Sequence, residues 1–114
     1  MNVVYYDNLE PSLTDEATAI IEVERIYCLD WDSFSEPYWQ ELTRIYDNLP
    51  GTVRFPEPEI PWWFGQDEDT PPFLWASVEP PGLQVYGVLP LVDWLAWDNR
   101  FQSLAAKLPM RVLK

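Results

Sequence analysis

Histidine is absent from this chain of 114 residues, cysteine occurs once and glycine only four times. Without histidine, no Ser-His or Cys-His nucleophile can form, because the base that accepts the proton is missing. Zinc sites built from cysteine and histidine are excluded by the same count. The four glycines form neither of the common phosphate-binding patterns, G-x-x-x-x-G-K-[ST] and G-x-G-x-x-G. The sequence therefore lacks the frequent signatures of catalysis and nucleotide binding.

Basic residues are also scarce, since seven lysines and arginines stand against 19 acids, for a formal net charge of -12. Four of the seven lie in residues 99–114, which hold no acid, so residues 1–98 are strongly negative. These four are Arg100, Lys107, Arg111 and Lys114. Nucleic acids and anionic membranes bind clustered lysine and arginine. We expect neither as a partner and favour a basic protein; the alternative is that the charge only maintains solubility.

Targeting and membrane segments are not visible in the sequence. The amino terminus lacks the basic and apolar stretches of a signal peptide, and no apolar run approaches the roughly 20 residues of a membrane span. Cys28 cannot form an internal disulfide, and its apolar neighbours predict a buried, inert thiol. We expect a cytoplasmic protein with one compact domain over residues 1–114, a common domain size.

Five segments have the alternating or β-branched pattern of strands. They are residues 2–6, 18–29, 52–55, 73–79 and 83–89. Residues 18–29 also fit a helical stripe, but their β-branched content favours a strand. The last two segments predict a hairpin, with Pro81 and Gly82 at the centre of a type II turn.

Two segments have helical spacing. Ser33 and Ser35 are candidate N-caps, with Glu36 completing a capping box, and Pro50 prevents the helix from continuing far past Asn48. Pro90 opens the second helix and Pro109 closes it, and Asp98-Asn99 is a candidate interruption. Together these elements predict an α+β fold, in which an antiparallel or mixed sheet of about five strands carries two amphipathic helices packed on one face.

Residues 56–72 contain five of the twelve prolines, so we predict a long irregular loop there. Three consecutive aromatics, Trp62 to Phe64, argue against disorder. Neighbouring side chains on an extended segment point to opposite sides, so Trp62 and Trp63 cannot both enter one core. At least one of the two is expected to be exposed or in a cleft.

The seven tryptophans indicate binding, because tryptophan is enriched at interface hot spots. Helical or strand patterns place four of them in the core, namely Trp39, Trp75, Trp94 and Trp97, and Trp31 is expected to cover a sheet edge. The remaining pair lies beside an acidic run, where rings can anchor a partner and acids can steer it. The predicted partner-binding residues are Trp62, Trp63, Phe64, Asp67, Glu68 and Asp69.

Metal and cofactor sites are not expected. Asp30, Asp32, Glu36 and Glu41 follow part of the spacing of a calcium-binding EF-hand loop. The position that needs the turn glycine holds Ser35, so a strand end followed by a capped helix is favoured.

These observations favour a non-enzymatic protein-binding module that neutralises or escorts a basic partner. In size, acidity and aromatic content the chain resembles bacterial immunity proteins and other inhibitors of basic toxins or nucleases; the resemblance covers no motif and assigns no residue. The alternatives are a carbohydrate- or proline-rich-peptide-binding module and a carboxylate-dependent hydrolase. Hydrolysis is disfavoured because Asp67, Glu68 and Asp69 are consecutive acids on a loop, whereas catalysis needs fixed geometry.

Overall fold

The computed structural model describes residues 3–8, 18–53 and 60–111. The strands are β1 Tyr5–Asp7, β2 Ile20–Tyr27, β3 Thr52–Val53, β4 Trp62–Trp63, β5 Phe73–Glu79 and β6 Gly82–Pro90. A short 3-10 helix, Trp31–Ser33, precedes α1 Glu36–Asp47, and α2 is Leu91–Ala105. All strand pairs are antiparallel, in the order β1-β2-β6-β5-β4-β3. The predicted α+β fold is confirmed, with six strands in the described residues rather than about five.

The predicted hairpin is β5 and β6, but its turn differs from the expectation. Glu79 pairs with Gly82, so Pro80 and Pro81 occupy the centre of the turn, and the prediction of Pro81-Gly82 is wrong. Gly82 has a φ of 150°, and a Cβ there would lie 2.2 Å from the carbonyl oxygen of Tyr27. Glycine is needed at this position because β2 passes too close for a side chain.

The prediction of an irregular loop over residues 56–72 is wrong at β4. Trp62 pairs with Val53 on one side and with Trp75 on the other, which places β4 inside the sheet. The prolines precede and follow these two residues and leave their backbone N–H groups free to pair. Residues 54–59 lie outside the described ranges, so the strand expected over 52–55 is confirmed only at Thr52–Val53. Pro11, Ser12 and Thr14 predict a further loop over residues 9–16, and this segment also lies outside the described ranges.

Both helices have nearly the expected bounds, with different local contacts. The capping box does not form, because the Ser33 hydroxyl donates to Asp30 Oδ2 at 2.8 Å within the 3-10 turn. Helix α2 continues through Asp98 and Asn99 without interruption. Asp98 does not compete with the helix backbone, since its carboxylate accepts hydrogen bonds from side chains on β2.

A cluster of aromatic rings joins both helices to one face of the sheet. Trp63 lies 5.0 Å from Trp97 and 5.7 Å from Tyr46, measured between ring centroids, so β4 contacts both α2 and α1. Tyr27 lies 4.3 Å from Phe101 of α2. We call this side of the sheet the core face. Along β2, buried residues of the core face alternate with exposed or half-buried residues, which confirms that residues 18–29 contain a strand.

Cys28 is 1% exposed, as predicted for an inert thiol. Burial raises the pKa of this thiol, and the positive charge of Arg111 only partly opposes the shift. A buried thiol with a raised pKa holds little of the reactive thiolate at neutral pH.

Arg25 is a buried charge on the core face, at 4% exposure. Its guanidinium forms ion pairs with Asp7 of β1 and Asp98 of α2, and lies 3.8 Å from the ring centroid of Tyr5 and 4.7 Å from that of Trp94. Burial alone lowers the pKa of Arg25, but its negative neighbours more than offset this effect and raise it above the ordinary value. The charged group therefore connects β1, β2 and α2.

We predict that Asp98→Asn lowers the free energy of unfolding by about 3 kcal/mol, because one buried ion pair is left without its anion. The measurement is urea denaturation followed by tryptophan fluorescence. Glu41→Gln is the matched control, since Glu41 pairs with an Arg44 side chain that is 70% exposed. Glu41→Gln should lower the free energy of unfolding by less than about 1 kcal/mol. Equal losses in the two variants would contradict a structural role for the Arg25 pairs.

Candidate functional site

The side of the sheet opposite the helices carries a row of large aromatic rings. Trp62 lies opposite Trp75, Trp75 opposite Tyr86, and Tyr86 opposite Glu24, on four neighbouring strands. Residues directly opposite each other in an antiparallel pair point to the same face. We call this side the open face, because no helix of the described residues covers it, and we call Trp62, Trp75 and Tyr86 the aromatic row.

The aromatic row is half-buried and rests on a buried ring. The Trp75 and Tyr86 centroids lie 5.7 Å apart, with the rings inclined by 47°. Phe73, at 2% exposure, lies 6.1 Å from Trp62 and 5.9 Å from Tyr86. Because regular strands and a packed neighbour hold these rings, little side-chain entropy remains to be lost when a partner binds.

Three carboxylates surround the aromatic row. The Trp75 indole Nε1–H donates to Glu68 Oε2 at 3.1 Å, and the Tyr86 hydroxyl donates to Glu22 Oε2 at 2.9 Å. The hydrogen bond to Glu22 raises the pKa of Tyr86, and the negative charges of Glu22, Glu68 and Glu24 add to the shift. All three glutamates are exposed. We call them the acidic rim; together they give the open face a negative potential.

The basic side chains of the described residues lie elsewhere. Arg25 is on the core face, and Arg111 donates to the carbonyl oxygen of Pro80 at the tip of the hairpin. Arg44 and Lys107 line a cleft of about 330 Å³ between α1 and α2. In the described part of the chain, acids therefore occur on the open face and on both helices, whereas the bases lie away from the open face.

The structure brings together only part of the site that was predicted from the sequence. Trp62 and Glu68 lie on the open face, next to Trp75. Trp63 is 0% exposed, so its inclusion in a binding surface is wrong. The physical reason is the alternation noted above, which sends Trp63 to the core face when Trp62 points outward. Phe64 is half-buried, and its ring packs against Gly51.

The two remaining predicted residues lie in an exposed turn. Asp67 and Asp69 are both exposed, and the backbone N–H of Asp69 donates to Asp67 Oδ1 at 2.9 Å. This bond, with a second one from the backbone N–H of Thr70 to the Asp67 carbonyl, shapes the turn that carries Glu68. The acidic run therefore delivers one carboxylate to the aromatic row and leaves two in solvent.

Sequence reasoning missed Trp75, Tyr86, Glu22 and Glu24. Trp75 was expected in the core, yet it is half-buried on the open face. The signal was the period of two along β5 and β6, which assigns Trp75 and Tyr86 to the same side once the register is known. The register follows from the hairpin turn, whose centre was misplaced.

Trp39 was also expected in the core and is 36% exposed. The core-facing stripe of α1 begins only at Leu42, and the Trp39 ring stacks instead on Trp31, with centroids 5.2 Å apart and planes inclined by 10°. Trp31 in turn donates its indole N–H to the Glu79 carbonyl at 2.7 Å and so covers the end of β5. Trp94 and Trp97 are buried, as predicted.

Metal-binding clusters and membrane-spanning helices are both absent from the described residues. In residues 3–8, 18–53 and 60–111, no three histidine, cysteine or acidic side chains gather as a metal site. Helix α1 begins at Glu36, inside the window that resembled a calcium loop. None of the helices in these ranges is long and apolar enough to cross a membrane. No known family model, curated protein or solved structure matches the chain.

We predict opposite roles for the two adjacent tryptophans of β4. Trp63→Ala should cost about 3 to 5 kcal/mol of unfolding free energy, because it leaves a cavity among buried rings. Trp62→Ala should cost about 1 kcal/mol, since its ring is only half-buried. Urea denaturation measures both. A larger loss for Trp62→Ala than for Trp63→Ala would contradict the assignment of the two faces.

A second prediction concerns the acidic rim. Glu22→Ala should lower the pKa of the Tyr86 hydroxyl toward its ordinary value, because the hydrogen bond and the nearby negative charge are both lost. An NMR titration of the labelled tyrosine ring measures this pKa. Asp32→Ala removes an exposed acid that is absent from the causes of the shift and is the control. An unchanged Tyr86 pKa in Glu22→Ala would contradict the contact.

Proposed function

We propose that this chain is a non-enzymatic protein-binding module that neutralises or escorts a basic protein partner, as an acidic inhibitor or immunity-type protein does. A cytoplasmic location belongs to the same proposal. The observation that carries it is the open face, where Trp75 and Tyr86 each donate a hydrogen bond to an exposed carboxylate. Half-buried rings supply the anchoring area of an interface, and the surrounding charges select the sign of the partner.

Two features of charge support a basic partner. The open face carries the three carboxylates of the acidic rim and, over its described residues, no lysine or arginine. The whole chain has a formal net charge of -12, which attracts cations before contact. Screening limits this attraction to about 8 Å at physiological ionic strength, so the acidic rim governs the final approach.

Binding is favoured over catalysis because the carboxylates of the acidic rim are exposed. Acid-base catalysis works best where the reacting groups are held in fixed geometry and away from water. Asp67 and Asp69, the other acids of the hydrolase alternative, are exposed in a turn. Exposed carboxylates are suited to steering and to hydrogen bonding with a cationic side chain.

Carbohydrate or proline-rich-peptide binding is a second candidate, supported by a separate aromatic cluster near the start of α1. Besides the stacked pair of Trp31 and Trp39, Phe34 lies 4.9 Å from Trp31, and Tyr38, at 37% exposure, lies 5.7 Å from Phe34. Aromatic-lined surfaces accept extended proline-rich segments, and tryptophan stacks on sugars. A ligand bound to this cluster would not contact the aromatic row.

The experiment that tests the main proposal uses a peptide of alternating arginine and serine and isothermal titration calorimetry. We expect Trp75→Ala to weaken binding by about 2 kcal/mol, because Trp75 is central to the aromatic row. Trp39→Ala removes an exposed tryptophan outside the open face and should change affinity by less than about 0.5 kcal/mol. Equal effects of the two changes, or a larger effect of Trp39→Ala, would contradict binding at the open face.

Association kinetics provide an independent test of the acidic rim. At low salt, the double change Glu22→Gln and Glu68→Gln should slow association of the same peptide more than Asp32→Asn with Glu36→Gln does. Each pair removes two negative charges, so only their positions differ. If the two double variants slow association equally, net charge alone attracts the peptide, and the acidic rim does not direct it to the open face.

A further inference from the structure

We infer that the open face distinguishes arginine from lysine, and that its Trp75-Tyr86 pair, between Glu68 and Glu22, is a site for a guanidinium group of the partner. This inference rests on the proposed function and specifies the side chain that the open face accepts. It follows from the position of the carboxylates relative to the rings, from their remaining hydrogen-bonding capacity, and from the way this chain holds its own buried arginine.

The carboxylates lie at the edges of the two rings. Glu68 accepts from the indole N–H of Trp75, and Glu22 accepts from the hydroxyl of Tyr86, so each carboxylate is close to the plane of its ring. The two rings are neighbours, with centroids 5.7 Å apart. A planar cation that stacks on a ring directs its N–H groups outward, toward groups at the ring edge. The compact ammonium of lysine cannot combine stacking with a fork of parallel hydrogen bonds.

The carboxylates also keep capacity for a second donor. Glu22 and Glu68 each use one oxygen, Oε2, for the ring that they contact, and no described group donates to the other oxygen of either residue. An ionised carboxylate offers about four acceptor positions. A guanidinium presents five N–H donors in a fixed arrangement. Each carboxylate can therefore retain its ring partner and still accept hydrogen bonds from an arginine.

The core face places the same two kinds of group, aromatic rings and carboxylates, around an arginine. The Arg25 guanidinium lies over the rings of Tyr5 and Trp94, and it pairs with the carboxylates of Asp7 and Asp98. With the Tyr27 ring, whose centroid lies 5.4 Å from the guanidinium, three rings and two carboxylates hold one guanidinium inside the protein. The open face offers two rings and two carboxylates that lack such a cation among the described residues, and these groups face solvent.

The spacing of strands limits how much of a partner the open face contacts. The four strands from β4 to β2 span about 14 Å, at roughly 4.8 Å between neighbours. The Trp75-Tyr86 pair is at the middle of this span, with Trp62 on one side and Glu24 on the other. One arginine at the centre is therefore flanked by an apolar ring toward β3 and by a further acid toward β1.

The test compares three peptides that alternate serine with arginine, lysine or citrulline, titrated calorimetrically against the full chain at physiological salt. Citrulline has a planar side chain without the charge. We expect the arginine peptide to bind about tenfold more tightly than the lysine peptide, because stacking and forked hydrogen bonds add to charge. The citrulline peptide should bind more weakly than both.

Trp75→Leu keeps an apolar side chain and removes the ring face, so it should abolish the preference for arginine over lysine. Trp39→Leu is the matched control and should leave the preference unchanged. A preference that survives in Trp75→Leu would overturn the inference. Equal binding of the arginine and lysine peptides, both weakened by Trp75→Leu, would overturn the inference while leaving the proposed function intact. If Trp75→Leu changes the binding of neither peptide, both the inference and the proposed function are overturned.

Discussion

Burial of Trp63 between the helices and the sheet is the constraint on which the two faces depend. Its ring contacts Trp97 of α2 and Tyr46 of α1, and it is 0% exposed. Because strand side chains alternate, this burial fixes Trp62 on the other side, and the pairing of β4 with β5 then aligns Trp62 with Trp75. A shift of one residue would exchange the two tryptophans and break the aromatic row. Core packing therefore determines the geometry of the candidate site.

Sequence patterns predicted the parts of this fold that depend on local chemistry. The alternation in β2, the apolar stripe of α1 and the hairpin are visible without a structure, because burial on one face imposes periods of 2 and 3.6. The pairing of β4 depends on residues distant in the chain, so the prolines around it suggested a loop. Of the site, only Trp62 and Glu68 were predicted, because they are near in sequence, whereas Trp75 and Tyr86 join them only through strand pairing.

Composition alone does not reveal where the charges of this chain lie. The acid excess of the chain is compatible with simple solubility, yet three glutamates converge on one tyrosine and raise its pKa. Among the described bases, Arg44 and Lys107 line a cleft between the helices, Arg111 lies at the hairpin tip, and Arg25 contacts rings and carboxylates inside the core. The open face thus combines half-buried aromatic rings with exposed carboxylates, a combination suited to cationic side chains.

The most direct test of a cation-binding open face follows the indole N–H signals of the seven tryptophans by NMR while an arginine-rich peptide is added. Each signal reports one ring, and the rings are distributed over the open face, the core face and the start of α1. If the open face binds cations, the signals of Trp62 and Trp75 shift with added peptide, while those of Trp31 and Trp39 stay in place. Shifts confined to Trp31 and Trp39 would contradict cation binding at the open face.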